Sequence, residues 1–484
     1  MERANQLNIF FNRFDQPSPL PPSQGTNIMA PSLSPPSLDP PFPSPLDTAL
    51  HPPLTNLSSN TPVDPPPCII TADQVRGELR KLRPKKAAGP DNVCSRLLKT
   101  CAAELGEPLQ HVFNLSLQLG RVPTLWKTSC IPPVPKKTRP SELNDFRPVA
   151  LTSHLMKTLE RLLLRHLRPK VLHAQDPLQF AYRTGVGVED AILYLLHRAH
   201  SHLDKGAGTV RILFLDFSSA FNTIQPLILQ NKLSAMHVDP HLITWITNYL
   251  IDRLQFVRLK DTTSDILISS TGAPQGTVLA PLLFTLYTSD FSHNSESCQI
   301  QRFADDTAIM GCIGGDQEEE YRTLVRDFVT WSHANSLQLN TSKTKELVID
   351  FGKSRPRPQT VDINGVEVET VGSYKYLGVW LDKKLDWAIN TDHLSKKGQS
   401  RMYFLRRLRS FNICSKLLSM FYQSVVASIL FYAVVCWGGS TTKRDSSRLD
   451  KLIRRAGSVV GFKLDCCDDS GREENHKEAS GHPG

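Results

Sequence analysis

"IQRFADDTAIMG", residues 300–311, sets Asp305 and Asp306 side by side between two short apolar runs. Taken alone the pair is an ordinary solvated turn, because Asp bonds to its own nearby backbone and tolerates unusual backbone angles. A second stretch weighs against that. "TVRILFLDF", residues 209–217, is a continuous apolar run of strand length that delivers Asp216 at its end, the pattern of a strand buried on both faces. Two strands that each present a carboxylate bring three negative charges toward one place. Burying an unpaired carboxylate is costly, and clustering three drives their pKa values up unless a cation neutralises them. Two Mg²⁺ ions, about 3.5–4 Å apart and bridged by carboxylates, answer this economically, with Mn²⁺ able to substitute; it is the arrangement used for phosphoryl transfer from nucleoside triphosphates.

Outward from these strands the chain alternates helix and strand patterns. "TADQVRGELRKL" opens with a Thr cap, and "AAGPD" is expected to close that helix. Further helical patterns cover 95–119, 154–168 with its Leu155, Leu159, Leu162, Leu163 and Leu167 stripe, 188–203, 226–237 and 239–252. A strand pair is expected at 254–259 and 265–271. "GAPQGTVLAPLLFTLYTSDF" reads as a Gly/Pro-rich turn into a helix that tolerates Pro281 in its first turn. A helix near 317–338 leads to the strand "KELVIDF"; Asn364-Gly365 marks a hairpin turn, and "YKYLGVWLD" reads as one more strand. Residues 390–460 are mostly helical and basic.

At 484 residues the chain exceeds a single core and is expected to divide into domains. Its net charge of +9 permits a polyanionic partner without proving one. Residues 15–67 hold 17 of the 35 prolines and no Lys or Arg, the composition of a disordered linker. The piece before it, "ANQLNIFFNRF", has helical apolar spacing, and its packing partner is not legible. No uninterrupted apolar run approaches the ~18 residues that span a bilayer, and the N-terminus lacks signal-peptide features. The chain is therefore expected to be intracellular, in cytoplasm or nucleus, with no membrane and no stable protein partner. Ten scattered cysteines carry no Cys-x-x-Cys spacing and read as reduced, mostly buried thiols. Cys466, His476 and His482 match no standard metal site.

"LFLDFSSAF", "GAPQGTVLAPLLFTLY", "FADDTAI", "LNTSKTKELVIDF" and "YKYLGVWLD" resemble, in order, the palm motifs of reverse transcriptases. "NDFRPVALTSHLMKTLERLLLRHL" and "DPLQFAYRTGVGVEDAI" resemble the finger motifs of the non-LTR, LINE-type retrotransposon branch. The resemblance spans about residues 70–460. It implies an α/β right-hand polymerase with an α+β palm: a disordered segment at 1–67, fingers at 68–208, palm with primer grip at 209–389, a helical basic thumb at 390–462 and a disordered tail at 463–484. It implies RNA-directed DNA synthesis from deoxynucleoside triphosphates on an RNA template and a DNA primer.

By the same resemblance Asp216 and Asp305 bind both metals, Asp306 completes the triad and the Phe217 carbonyl is a backbone ligand. Phe221 lies under the sugar of the incoming nucleotide and excludes a 2′-hydroxyl by bulk. Gln275 sits beside that nucleotide, with Gly272 and Gly276 letting the backbone pass close. Arg147, with Lys136 or Lys137, clamps the triphosphate. Arg183 touches template or nucleotide, and Lys343 stands where the family has a proton donor to pyrophosphate. Tyr376, Leu377 and Gly378 belong to the primer grip. "KKGQSRMYFLRRLRSF" carries six basic residues, among them Arg401, Arg406 and Arg407, and no acidic one, interleaved with Tyr403, Phe404 and Phe411; it fits a thumb on a hybrid's phosphate backbone. The stretch before residue 70 is too short for an endonuclease domain and no ribonuclease H pattern follows, so a polymerase core cut from a larger element is expected. A catalytically silent nucleic-acid-binding remnant is the alternative reading. A viral-type RNA polymerase is disfavoured by Phe221 and by an Ala, not Gly, before Asp305.

Overall fold

The computed structural model describes residues 1–15, 68–206, 208–314, 318–351 and 359–464. Most of the expected linker and the tail, with Cys466, His476 and His482, lie outside the described residues.

A five-stranded sheet organises the molecule. Its order across the sheet is Glu369–Val371, Lys345–Ile349, Thr209–Leu215, Asp306–Ile313 and Cys298–Phe303. Every neighbouring pair is antiparallel except the first, which is parallel. The expected apolar run thus occupies the centre, and helices cover both faces, so side chains alternate between two cores. Leu213, Leu215, Ile300 and Ile309 point into a core shared with the helices Ala280–Tyr287 and Glu318–Ala334. Val210, Ile212, Phe214, Ala308, Met310 and Leu347 point into a second core with the helix Val188–Leu203 and the C-terminal helices.

Arg211 interrupts the apolar run and is nevertheless buried. It is tolerated because its guanidinium forms a two-pronged contact with Glu346 on the adjacent strand, both bonds 2.9 Å, and reaches Glu318 at 2.9 Å. Tyr321 donates to Glu346 at 2.7 Å, so the buried charges are paired and hydrogen-bonded. Arg302 is similarly buried against Asp176 and donates to the Phe291 carbonyl at 2.8 Å.

Several local expectations change. The helix capped by Thr71 spans Ala72–Arg80 and ends before Pro84, well short of "AAGPD". The 95–119 pattern is two helices, Ser95–Thr100 and Gly106–Gln118. "YKYLGVWLD" is a hairpin of Ser373–Tyr376 and Val379–Asp382, because Leu377 (φ 45°) and Gly378 (φ 95°) turn the chain through the left-handed region. Packing crosses the expected boundary at residue 208: Ser129–Ile131 pairs in parallel with Arg253–Leu259, and Val188–Leu203 lies against the central sheet. Among the described residues Ser415–Ser440 is long and apolar enough to cross a bilayer, with mean hydropathy 1.8, its apolarity hidden from a run-based reading by interspersed Ser and Gln. Leu418, Val426, Leu430 and Trp437 of that stretch pack into the second core, and Ala433 (φ 50°) breaks it.

Residues 1–15 do not dangle. The helix Glu2–Phe11 buries Ala4, Leu7 and Phe11 against Ile131 and Val257 of the paired strands Ser129–Ile131 and Arg253–Leu259. Cys68, Cys130, Cys298 and Cys312 are buried free thiols, whereas Cys94 and Cys414 are exposed.

Candidate active site

Asp216 stands at the end of the central strand, and Asp305 and Asp306 occupy the turn of the adjacent hairpin Cys298–Phe303/Asp306–Ile313. Ala304 takes a left-handed φ of 59° at that turn, and the Ala304 amide and carbonyl are both bonded to the Gln179 side chain, at 2.9 and 3.2 Å. Because the two strands pair directly, Leu215 opposite Thr307, all three carboxylates reach the same end of the sheet. They line one cleft together with Phe217, Phe221, Gln275, Lys136, Arg147 and Lys343.

The carboxylates feel one another. Burial, reinforced by Asp216, pushes the Asp305 carboxyl above its ordinary range. Burial and then the charges of Asp305 and Asp216 push Asp306 up to about 6. Asp216 takes Lys343 as counter-ion, Nζ to Oδ2 at 3.0 Å. Local zippering sets this pair: the Asn340 amide donates to the Asp216 carbonyl and the Ser218 amide to the Gln338 carbonyl, both 2.8 Å. The Phe217 carbonyl takes neither bond. Among the described residues no three His, Cys, Asp or Glu side chains converge as a ready-made metal cage. The oxygen-only donor set and the raised carboxyl pKa values suit a hard divalent cation.

The wall opposite is built from two close-packed loops. The Ala273 amide donates to the Phe221 carbonyl at 2.8 Å and the Gly272 amide to the Ile224 carbonyl at 2.7 Å. Gly272 (φ 78°) leaves no room for a side chain, since a Cβ would sit 2.7 Å from Asn222 Cα. Gly276 (φ 98°) follows Gln275, whose carbonyl accepts from the Ala150 amide at 2.7 Å. Phe221 is half-buried, its ring 4.9 Å from that of Phe284. Gln275 Nε2 donates to Asn222 Oδ1 at 3.3 Å.

The hairpin Pro133–Pro135/Phe146–Pro148 presents Arg147 and, just beyond, Lys136. Desolvation first, then the charges of Lys343, Arg147 and Arg13, push the Lys136 amine down. Lys137 is withdrawn from the choice between the two lysines: its Nζ pairs with Asp145 at 2.8 Å, away from the cleft lining. Two other candidates are also displaced. Arg183 donates to the Pro177 carbonyl at 2.8 Å and lines a separate cavity with Arg168, Asp176 and Tyr182. Tyr376 is buried, bonded to Gln301 and packed on Phe214, because alternation along its strand turns it inward; what its hairpin exposes is the Leu377-Gly378 turn. Tyr432 donates to the Leu377 carbonyl at 2.8 Å and so ties that turn to the C-terminal helices. Arg401, Arg406 and Arg407 are exposed on the helix Ala388–Ser410, beside exposed Tyr403 and Phe404.

Among the cleft residues that escaped the sequence reading are Arg13, Ser219 and Asn222. The signal was present for Asn222, adjacent to Phe221, and for Arg13, an isolated cation among the aromatics of "FFNRF".

The model of the family described as reverse transcriptase (RNA-dependent DNA polymerase) matches residues 134–381. A shorter match, to alkylated DNA repair protein alkB homolog 8, N-terminal, covers residues 387–428. The probable RNA-directed DNA polymerase from transposon BS of Drosophila melanogaster is 26% identical over 84% of this chain and 46% of its own length. The RNA-directed DNA polymerase from mobile element jockey of the same organism is 27% identical over 76% and 41%. The chain therefore spans less than half the length of these relatives. Among solved structures, apo telomerase from Candida Tropicalis superposes over 74% of this chain and 68% of its own, with a TM-score of 0.40 and 12% identity.

Proposed function

The chain belongs to the reverse transcriptase (RNA-dependent DNA polymerase) family, and from that premise we propose that it extends a DNA primer on an RNA template, consuming deoxynucleoside triphosphates and releasing pyrophosphate. One observation carries the reading: Asp216, Asp305 and Asp306 share a single cleft with Phe221, Gln275, Lys136 and Arg147. The retrotransposon polymerases among its relatives support the non-LTR branch.

In this reading Asp216, Asp305 and Asp306, with the Phe217 carbonyl, would hold two Mg²⁺ ions. Bound there, the ions lower the pKa of the primer 3′-hydroxyl and neutralise the triphosphate and leaving group. The chain's own groups then position and select. Arg147 grips phosphate through its fork and Lys136 as a point charge, an ammonium pushed down first by burial and then by its cationic neighbours, and favoured again by an arriving anion. Phe221, braced on Phe284, fills the volume a 2′-hydroxyl would need. Gln275 lies along the nucleotide. Lys343, held by Asp216 at 3.0 Å, would donate a proton to the leaving pyrophosphate. The exposed basic helix Ala388–Ser410 lies along the phosphates of the RNA·DNA hybrid. The same reading puts the protein inside the cell, in cytoplasm or nucleus, where exposed thiols such as Cys94 and Cys414 persist.

The test is primer extension on poly(rA)/oligo(dT) with dTTP and Mg²⁺. Wild type should extend, and Asp305→Asn should fall to background while binding the hybrid as before. Substantial Mg²⁺-dependent extension by the variant, or none by folded wild type, overturns the assignment.

A further inference from the structure

The helix Glu2–Phe11 is fixed to the strands Ser129–Ile131 and Arg253–Leu259 by more than its apolar face. Asn5, Asn8 and Asn12 recur at helical spacing and bond to the 253–270 hairpin. Asn5 Nδ2 donates to Asp265 Oδ2 at 2.6 Å, Asn8 Nδ2 to Ser264 Oγ at 3.1 Å and Asn12 Nδ2 to the Ile268 carbonyl at 3.0 Å. Asp15 then accepts from the Ser270 amide at 3.1 Å. The segment that follows the helix is consequently held at the mouth of the cleft.

Arg13 is the group it presents there. Its guanidinium lies 3.9 Å from the Phe10 ring centroid and 4.3 Å from that of Phe14, which orients the plane. Nη1 donates to the Phe10 carbonyl at 2.6 Å and Nη2 to Ser219 Oγ at 3.0 Å, leaving three of its five N–H groups unused among the described residues. Ser219 holds a left-handed φ of 58°, sparsely populated for a residue with a Cβ, two residues before Phe221. The Phe11 carbonyl accepts from Asn222 Nδ2 at 3.3 Å, and the Asn222 carboxamide in turn receives Gln275. The same segment thus reaches both walls of the nucleotide pocket, and Arg13 is near enough to Lys136 and its neighbours to help depress that amine.

We propose that residues 2–15 complete the nucleotide pocket, with Arg13 gripping the phosphates of the incoming deoxynucleoside triphosphate and the Phe11 carbonyl, through Asn222, orienting Gln275. A guanidinium with a fixed plane and spare N–H groups, beside Lys136 and Arg147 and facing three carboxylates, matches a polyphosphate rather than a base. The inference rests on the polymerase reading above, and its test separates the two. The probe is α,β-imido-dTTP, binding with Mg²⁺ to the full chain loaded with poly(rA)/oligo(dT). Arg13→Gln should weaken that analogue about tenfold or more while the hybrid binds unchanged. Arg13→Lys should recover part of the loss, because it restores charge without the fork. Analogue affinity in Arg13→Gln equal to wild type, or an equal loss of hybrid affinity, overturns the proposal. Primer extension by wild type, measured in parallel, tests the polymerase reading by itself: a wild type that holds the analogue through Arg13 yet never extends would sink that reading and spare this one.

Discussion

At the scale of single residues, Phe221 is the sharpest lever. It is half-buried against Phe284, so trimming it opens space toward the cleft without emptying the core. Phe221→Val should raise UTP incorporation relative to dTTP by about tenfold or more, since exclusion by bulk is lost when the bulk is removed. Competitive extension with the two nucleotides measures it, and an unchanged ratio would remove Phe221 from the selection step. Lys343 illustrates the opposite case, in which neighbours decide the role. Its spacing from "LNTS" marks it, but only the bond from Asn340 to the Asp216 carbonyl brings its ammonium onto that carboxylate.

Among elements, the join between the helices His154–Lys170 and Ala280–Tyr287 carries a titratable group the sequence did not reveal. Glu160 is fully buried, accepts from the Leu279 amide at 3.2 Å and from Tyr249 at 3.2 Å, and also receives the Val278 amide. Burial pushes its carboxyl up to about 7, against the pull of those donors. A carboxyl raised above its unfolded value supports folding below that value, near 4.5, and loses the support as pH rises through about 7. Glu160→Gln keeps an acceptor for the amides and a donor for Tyr249 but does not titrate. The melting temperature of the variant relative to wild type should therefore climb between pH 5 and pH 8; a flat difference would place the Glu160 pKa outside that window. In the sequence, Glu160 is one carboxylate among the leucines of 154–168, and no local pattern marks its partners Tyr249, Val278 and Leu279, all more than eighty residues away.

Across the whole molecule, the two cores on either face of the central sheet join parts that are far apart in sequence. The helices Ala72–Arg80, His154–Lys170, Ala280–Tyr287 and Glu318–Ala334 and the 226–250 helices share one; the Val188–Leu203 helix, the Ser373–Tyr376/Val379–Asp382 hairpin and the C-terminal helices share the other. Tyr432 links the thumb to the Leu377-Gly378 turn, so thumb and grip hold the hybrid as one surface in the proposed reading. Replacing Arg406 and Arg407 together by Ala should lower the salt dependence of RNA·DNA binding by about one to two in log–log slope, as two phosphate contacts are lost. Titrations between low and moderate salt report that slope, and no change would move the contact elsewhere. Arg407 also packs on Phe411 at 5.0 Å, so Arg406→Ala alone is the cleaner comparison.

The sequence by itself determined the strand that carries Asp216, the hairpin that carries Asp305 and Asp306, the Gly-rich turn before Gln275 and the family, because each is written in neighbouring residues through periodicity, turn chemistry or a local motif. Only the tertiary structure decided that Tyr376 faces inward and Arg183 away from the cleft, that Lys136 rather than Lys137 lines it, that "YKYLGVWLD" folds back on itself, and that residues 2–15 reach that cleft. Tyr376 and residues 2–15 depend on partners more than fifty residues distant, and the hairpin on a left-handed turn that the surrounding packing stabilises; Arg183 and Lys137 are held by the nearer Pro177 and Asp145, in pairings that neither periodicity nor a local motif announces.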